Sequence, residues 1–199
     1  HEQKQQFVAW LQAQGLRIEG GEANAPSHIL PLRYAAVAAG LGIFRKNNFF
    51  YGEKGSYYDL EGYLIDADVT YHQQCSLRPC ADTCMCCQNA CKTHALCAPY
   101  TMNPLSCVSF WTTFGQGQVP PHLEADQFGT WICGCDACQD AWPHNRKAWK
   151  DTEEFPELEA WSSHFTDTEI VLAEYSWLRS VVQPKLWYIP QGKEWRYKT

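Results

Sequence analysis

The sequence predicts an α+β protein in two parts: short helices with a β-hairpin, then a segment ordered by metal rather than by a large apolar core. Three observations predict this. Apolar residues recur at helical spacing near both ends of the chain. Aromatic stretches flank a Gly-x-x-Gly turn between them. Most of the eleven cysteines crowd into the middle. With 45% hydrophobic residues and 9 Trp, 10 Tyr and 9 Phe among 199 residues, the chain can bury a core and is not a disordered tail.

Taken in order, residues 5–14 place Phe7, Trp10 and Leu11 on one helical face, and Gly15 suits the position just past the helix end. A Gly-rich polar link follows from Gly20 to Ser27. Pro31 opens a second helix, Leu32 to Ala39, stopped by Gly40. Asn48 to Tyr51 and Ser56 to Ile65 flank Gly52-Glu-Lys-Gly55 and read as the two arms of the hairpin. Residues 75–145 are rich in Cys, Gly and Pro with short helical pieces, the pattern of a segment ordered by metal. Thr166 to Val182 reads as a last helix, capped by Thr166 or Asp167, with Ile170, Val171, Ala173, Trp177 and Leu178 at helical spacing. The expected divisions are 1–72, 73–147 and 148–199.

The formal net charge is -6, with acids gathered at Asp151 to Glu159 and one short basic stretch at Lys193 to Lys198. A protein that grips phosphates usually shows a basic face, so no nucleic-acid partner is expected. No apolar run approaches the roughly 20 residues that span a bilayer, and the polar start is unlike a signal peptide. The expectation is a soluble, cytoplasmic protein with no membrane partner. The chain begins at His1 without an initiator Met, which suggests a processed or partial chain.

Disulfides would spread along a secreted chain to staple distant loops. Here six cysteines lie between Cys80 and Cys97 and three more between Cys133 and Cys138. The first run, Cys80-x3-Cys84-x2-Cys87-x3-Cys91, matches the last two intervals of the ferredoxin pattern C-x2-C-x2-C-x3-C-P, in which the fourth sulfur serves a second cluster. Its first interval is one residue longer, and Lys92 stands in place of Pro. The second set is Cys107 with Cys135-x2-Cys138. Cys91, Cys107, Cys135 and Cys138 can therefore supply one [4Fe–4S] cubane. Cys80, Cys84 and Cys87 supply three ligands of another, whose expected fourth is Trp142. Cys133, Cys86 or, more weakly, His144 are candidates to complete it. Zinc also takes four cysteines, but usually from two short C-x2-C knuckles. Cys75, Cys86, Cys97 and Cys133 also read as small buried apolar residues.

Several stretches resemble epoxyqueuosine reductases. They are Leu32-Arg33-Tyr34-Ala35-Ala36 with Gly40-Leu41-Gly42-Ile43-x-x-Lys46-Asn47, then Gly55-Ser56-Tyr57-Tyr58 and the Cys80–Cys91 run. Ala95-Leu96-x-Ala98-Pro99-Tyr100, Cys107-Val-Ser-Phe and Gly134-Cys135-Asp136-x-Cys138-Gln139-x3-Pro143-x-Asn145 complete the match. The resemblance covers about residues 5 to 147. It implies a partial nitroreductase-like α/β portion followed by a ferredoxin-like domain with two [4Fe–4S] clusters, and a base-off cobalamin, as in the related reductive dehalogenases. Leu41, Gly42, Lys46, Asn47 and Tyr57 would face that corrinoid. Where the family carries its catalytic acid, in an Asp-x-Ala-Pro stretch, this sequence reads Glu22-Ala23-Asn24-Ala25-Pro26. No counterpart of the family's tRNA-binding repeats is found in the sequence. A reductase acting on a small molecule, and not on tRNA, is therefore expected.

Two functions follow from these readings. One is an iron–sulfur enzyme passing electrons to a bound corrinoid or similar cofactor. The other is a non-enzymatic ferredoxin-like carrier docking on a redox partner protein, with Trp187, Tyr188, Trp195 and Tyr197 as a docking surface. No residue is assigned as catalytic. Tyr57, Tyr58 and Tyr63 could donate a proton but read first as strand aromatics. His72, His94, His122, His144 and His164 are scattered. Lys46 could contact a cofactor phosphate or propionamide.

Overall fold

The computed structural model describes residues 2–20, 31–70, 75–115, 118–131, 133–145 and 166–184. It divides into two compact units, His1–Cys84 and Met85–Thr199. Several expectations lie outside the described residues: the Glu22–Pro26 stretch, His72, His164, the acidic run at 151–159 and the aromatic tail.

In the first unit, helix α1 runs Glu2–Ala13 and ends at Gly15, whose φ of +79° is the left-handed closure that glycine supplies without strain. Leu11 is buried, while Phe7 and Trp10 stack on each other at 6.0 Å in partly exposed positions. Strand β1, Ile18–Gly20, pairs antiparallel with β4, Tyr63–Ile65. Phe7 packs edge-on against Tyr63, and Lys4 bridges Asp59 at 3.0 Å and also pairs with Glu61. These contacts tie α1 to this small sheet.

Helix α2, Leu32–Ala38, is followed by β2, Ile43–Phe44, and β3, Phe50–Tyr51. The last two strands pair antiparallel with Ile43 opposite Tyr51 and Phe44 opposite Phe50. The hairpin is thus 43–51, with Arg45 to Phe49 as its loop. This corrects the expected pairing of 48–51 with 56–65. The Gly52–Gly55 turn does close, through paired backbone hydrogen bonds of 2.9 and 3.2 Å. Its two arms instead take different partners, β3 joining β2 and β4 joining β1. Aromatic alternation on both sides of a turn cannot reveal this, because either strand's pattern suits any neighbour. Gly42 explains the closeness of the pairing: a Cβ there would lie 2.2 Å from the Tyr51 carbonyl oxygen and 2.6 Å from the Phe50 ring.

The second unit is built from short pieces. Helix α3 is Cys86–Ala90, α4 is Val108–Phe114 and α5 is Ala137–Asp140. The last segment is a correction too. It does not run as one helix but as α6, Asp167–Leu172, a break at Ala173–Glu174, α7, Tyr175–Trp177, and a π-turn, Leu178–Val182. Thr166 caps α6 as expected, its Oγ1 accepting from the Glu169 N–H at 3.3 Å. Ile170, Leu178 and Val182 form a buried cluster, so the apolar spacing marks the packed face although the backbone is interrupted. Among the described residues no helix is long and apolar enough to cross a membrane.

Candidate metal centre

All eleven cysteines are free, so disulfides do not account for their number. In the second unit, α3 carries Cys87 and ends at Cys91, and it packs against α5, which carries Cys138. Cys107 is the residue capping the start of α4. The fully buried Thr112 on that helix has its hydroxyl 3.1 Å from both the Val108 and the Gly134 carbonyl oxygens. This hydroxyl ties the Cys107 helix to the turn that delivers Cys135. Gly134 makes the turn at φ +77°, with open space where a Cβ would stand, so conformation rather than crowding selects glycine.

The thiols on these pieces feel one another. Burial pushes the Cys138 thiol up to about 12, and the neighbouring Cys135, Cys91, Cys107 and Cys87 push the same way. Cys135 is also raised, chiefly by burial and then by Cys107 and Cys91, against a lowering hydrogen bond from the Ala137 N–H. Half-buried thiols with thiols for neighbours resist ionisation until a cation neutralises them. Of the predicted set, Cys91, Cys107 and Cys135 all act electrostatically on Cys138, as does Cys87. Among the described residues no three Cys, His, Asp or Glu side chains converge on a single-ion site. A lone zinc, with Zn–S of about 2.3 Å, needs sulfurs roughly 3.8 Å apart. A four-iron cage instead gives each thiolate its own iron and holds them around a larger body. Four thiols are the donor chemistry that such a cage takes.

α5 is one turn long and is held by side chains. The Gln139 amide donates to Asp136 Oδ1 at 2.5 Å, and the buried Asn145 amide donates to the Gln139 carbonyl at 2.8 Å. Burial raises the Asp136 carboxyl, and the Gln139 hydrogen bond opposes it. The candidates for the remaining ligand sit in other surroundings. Cys133 packs against the Ile170–Leu178–Val182 cluster as a small apolar residue. Trp142 stacks on His144 with ring centroids 4.6 Å apart. Cys86 is exposed.

In the first unit, Cys80 and Cys84 lie on a loop gripped by the hairpin. The Lys46 ammonium, only 6% exposed, donates to the carbonyls of Ala81, Asp82 and Cys84 at 2.9, 2.7 and 3.0 Å. Three donors meet three acceptors, so this lysine orders the cysteine loop. Asn47, 2% exposed, donates to the Tyr51 hydroxyl at 2.8 Å. Gly42 is filled against β3, as described. Of the five residues expected to face a corrinoid, these three are engaged in packing the first unit; Leu41 is exposed and Tyr57 half-buried. Sequence reasoning misses Arg45, whose Nη1 lies 3.7 Å from Cys80 Sγ. The signal available is an Arg-Lys pair inside a hairpin loop.

No family model matches the chain. It is 33% identical over 131 residues to an epoxyqueuosine reductase of Cellulophaga algicola, covering 64% of this chain and 41% of that protein. It is 33% identical over 123 residues to the epoxyqueuosine reductase of Escherichia coli K12, covering 61% of this chain and 32% of that one. An epoxyqueuosine reductase structure from Bacillus subtilis superposes with a TM-score of 0.76 at 23% identity, over 98% of this chain and 50% of that one. Another, with a TM-score of 0.71 and 24% identity over 90% of this chain and 47% of that one, holds an epoxyqueuosine-modified tRNA stem loop. The chain thus spans about half the length of the proteins it matches, or less. The expectations of no nucleic-acid partner and no action on tRNA are overturned by these findings, since proteins of this fold include one bound to tRNA. Net charge misleads because it sums over the whole chain and says nothing of local faces. In sequence and in fold, the chain is similar to the epoxyqueuosine reductases.

Proposed function

We propose that this chain forms the iron–sulfur portion of a reductase acting on epoxyqueuosine in tRNA, with Cys91, Cys107, Cys135 and Cys138 holding one [4Fe–4S] cluster. Cys80, Cys84 and Cys87 contribute to a second. The observation that carries this reading is the packing of α3, with Cys87 and with Cys91 at its end, against α5, with Cys138. When bound, such a cluster supplies one-electron transfer. The chain's own residues supply the thiolates and the backbone N–H groups around them. Thr112 and the Gln139–Asn145 clasp fix the cysteine turns so that the sulfurs need not reorganise. The carrier alternative finds less support, because the relatives are named as reductases.

The test begins with the full chain reconstituted anaerobically with ferrous iron and sulfide, then analysed for iron, acid-labile sulfide and zinc. Cubane-type sulfide content, with an EPR signal on reduction that disappears in Cys138→Ala, is expected. Zinc without sulfide would sink the cluster reading. A modified tRNA stem loop is then incubated with the reduced chain, with and without cobalamin. Failure to bind the stem loop overturns the tRNA assignment and leaves the clusters standing.

A further inference from the structure

Arg45 lies in the hairpin loop between β2 and β3, is only 8% exposed, and is held in place. Its guanidinium sits over the Tyr51 ring at 5.2 Å, and the Tyr51 hydroxyl is itself fixed by Asn47. From there Nη1 reaches Cys80 Sγ at 3.7 Å. The next residue, Lys46, grips the carbonyls of the same loop. Two cations on adjacent, nearly buried residues are thus set against the loop that carries Cys80 and Cys84. A thiolate bound to iron would place negative charge opposite the Arg45 guanidinium.

We propose that Arg45 sets the reduction potential of the iron–sulfur cluster ligated by Cys80, through a charge-assisted N–H···S hydrogen bond to that thiolate. This rests on the cluster reading above and adds to it. Reduction makes a cluster more negative, so a fixed guanidinium at one sulfur favours the reduced form and raises the potential. Arg45 acts through Cys80 and is a positioning residue, not a catalytic one. The Tyr51 ring matters because it holds the guanidinium in both redox states, so the charge need not move when the electron arrives.

The experiment is an EPR-monitored redox titration of the reconstituted full chain, alongside iron and sulfide analysis. Arg45→Gln removes the charge and is expected to lower one midpoint by about 59 mV, a tenfold change in a one-electron equilibrium. Iron and sulfide content and the other midpoint stay as in the wild type, and Arg45→Lys recovers at least half of the shift. An Arg45→Gln chain with full iron and sulfide and both midpoints unchanged overturns the proposal while leaving the cluster reading intact. A wild-type chain that takes up no sulfide overturns both. Where Arg45→Gln does not load, the wild-type chain carrying nitrogen-labelled arginine decides. Pulsed EPR of the reduced protein then shows coupling to a guanidinium nitrogen, and its absence overturns the proposal.

Discussion

Lys46→Met tests how the first cysteine loop is held. The ammonium makes three charge-assisted hydrogen bonds of 2.7 to 3.0 Å to loop carbonyls. Each such bond contributes about 1.5–3 kcal/mol, but the sum overstates the loss. Desolvation of the ammonium offsets part of it, and Ala81 and Asp82 are exposed, so water can replace their lost donors. Methionine fills the vacated volume. A net cost of about 2–3 kcal/mol for holding the loop remains, and each 1.36 kcal/mol is tenfold. Local opening should then be about thirty to one hundred and sixty times more frequent, without global unfolding. The assay is loss of cluster absorbance from the reconstituted chain in the presence of a ferrous chelator. One kinetic phase should accelerate by that factor, while the phase belonging to Cys91, Cys107, Cys135 and Cys138 keeps its rate. Wild-type rates in both phases, with normal iron content, would refute the view that Lys46 latches this loop.

Other consequences can be measured more simply. Thr112→Val leaves the Gly134 carbonyl without its hydroxyl partner and should cost about 1–3 kcal/mol, seen as a lower melting temperature and earlier loss of the second-unit cluster. Gly42→Ala places a methyl 2.2 Å from the Tyr51 carbonyl; the strain, at or above the roughly 1–3 kcal/mol of overpacking, should appear as reduced soluble yield and a lower urea midpoint. Tyr63 is pushed up to about 12 by burial and then by its hydrogen bond to Glu61. Because the neutral phenol is favoured in the fold, its contribution is complete below about pH 10 and is lost as pH rises towards 12. The urea midpoint of wild type should therefore fall more between pH 9.5 and 11.5 (working values about either side of the free phenol's pKa) than that of Tyr63→Phe; equal falls would refute it.

Much of the second unit is legible in the sequence because thiol spacing is a strong signal: intervals of two and three residues place sulfurs on one turn whatever surrounds them. The short helices that carry Cys87 and Cys138 pack against each other. Cys133 packs on the Ile170 cluster, a contact hidden in the sequence because distance along the chain says nothing about side-chain direction. The hairpin lies one strand earlier than expected, because period-2 aromatics fix a face but not a partner. The break in the last helix is hidden because Ala173 and Glu174 carry no breaking signal, yet both take extended backbone. Lys46 grips the carbonyls of the Cys80–Cys84 loop, a contact between segments that sequence pattern does not reveal. Beyond its place beside Lys46, nothing in the sequence marks Arg45, since its role depends on the Tyr51 ring across the hairpin loop, a neighbour that only the fold supplies.

The one-turn helix of Cys138 is too short to persist on backbone bonds alone. Asp136 and Asn145 secure it from either end through Gln139. Under the proposed function, Cys138 mounted on this scaffold keeps its posture whether or not a cluster is bound. Damage by oxidation could then be repaired by refilling a waiting socket, with no need to rebuild it.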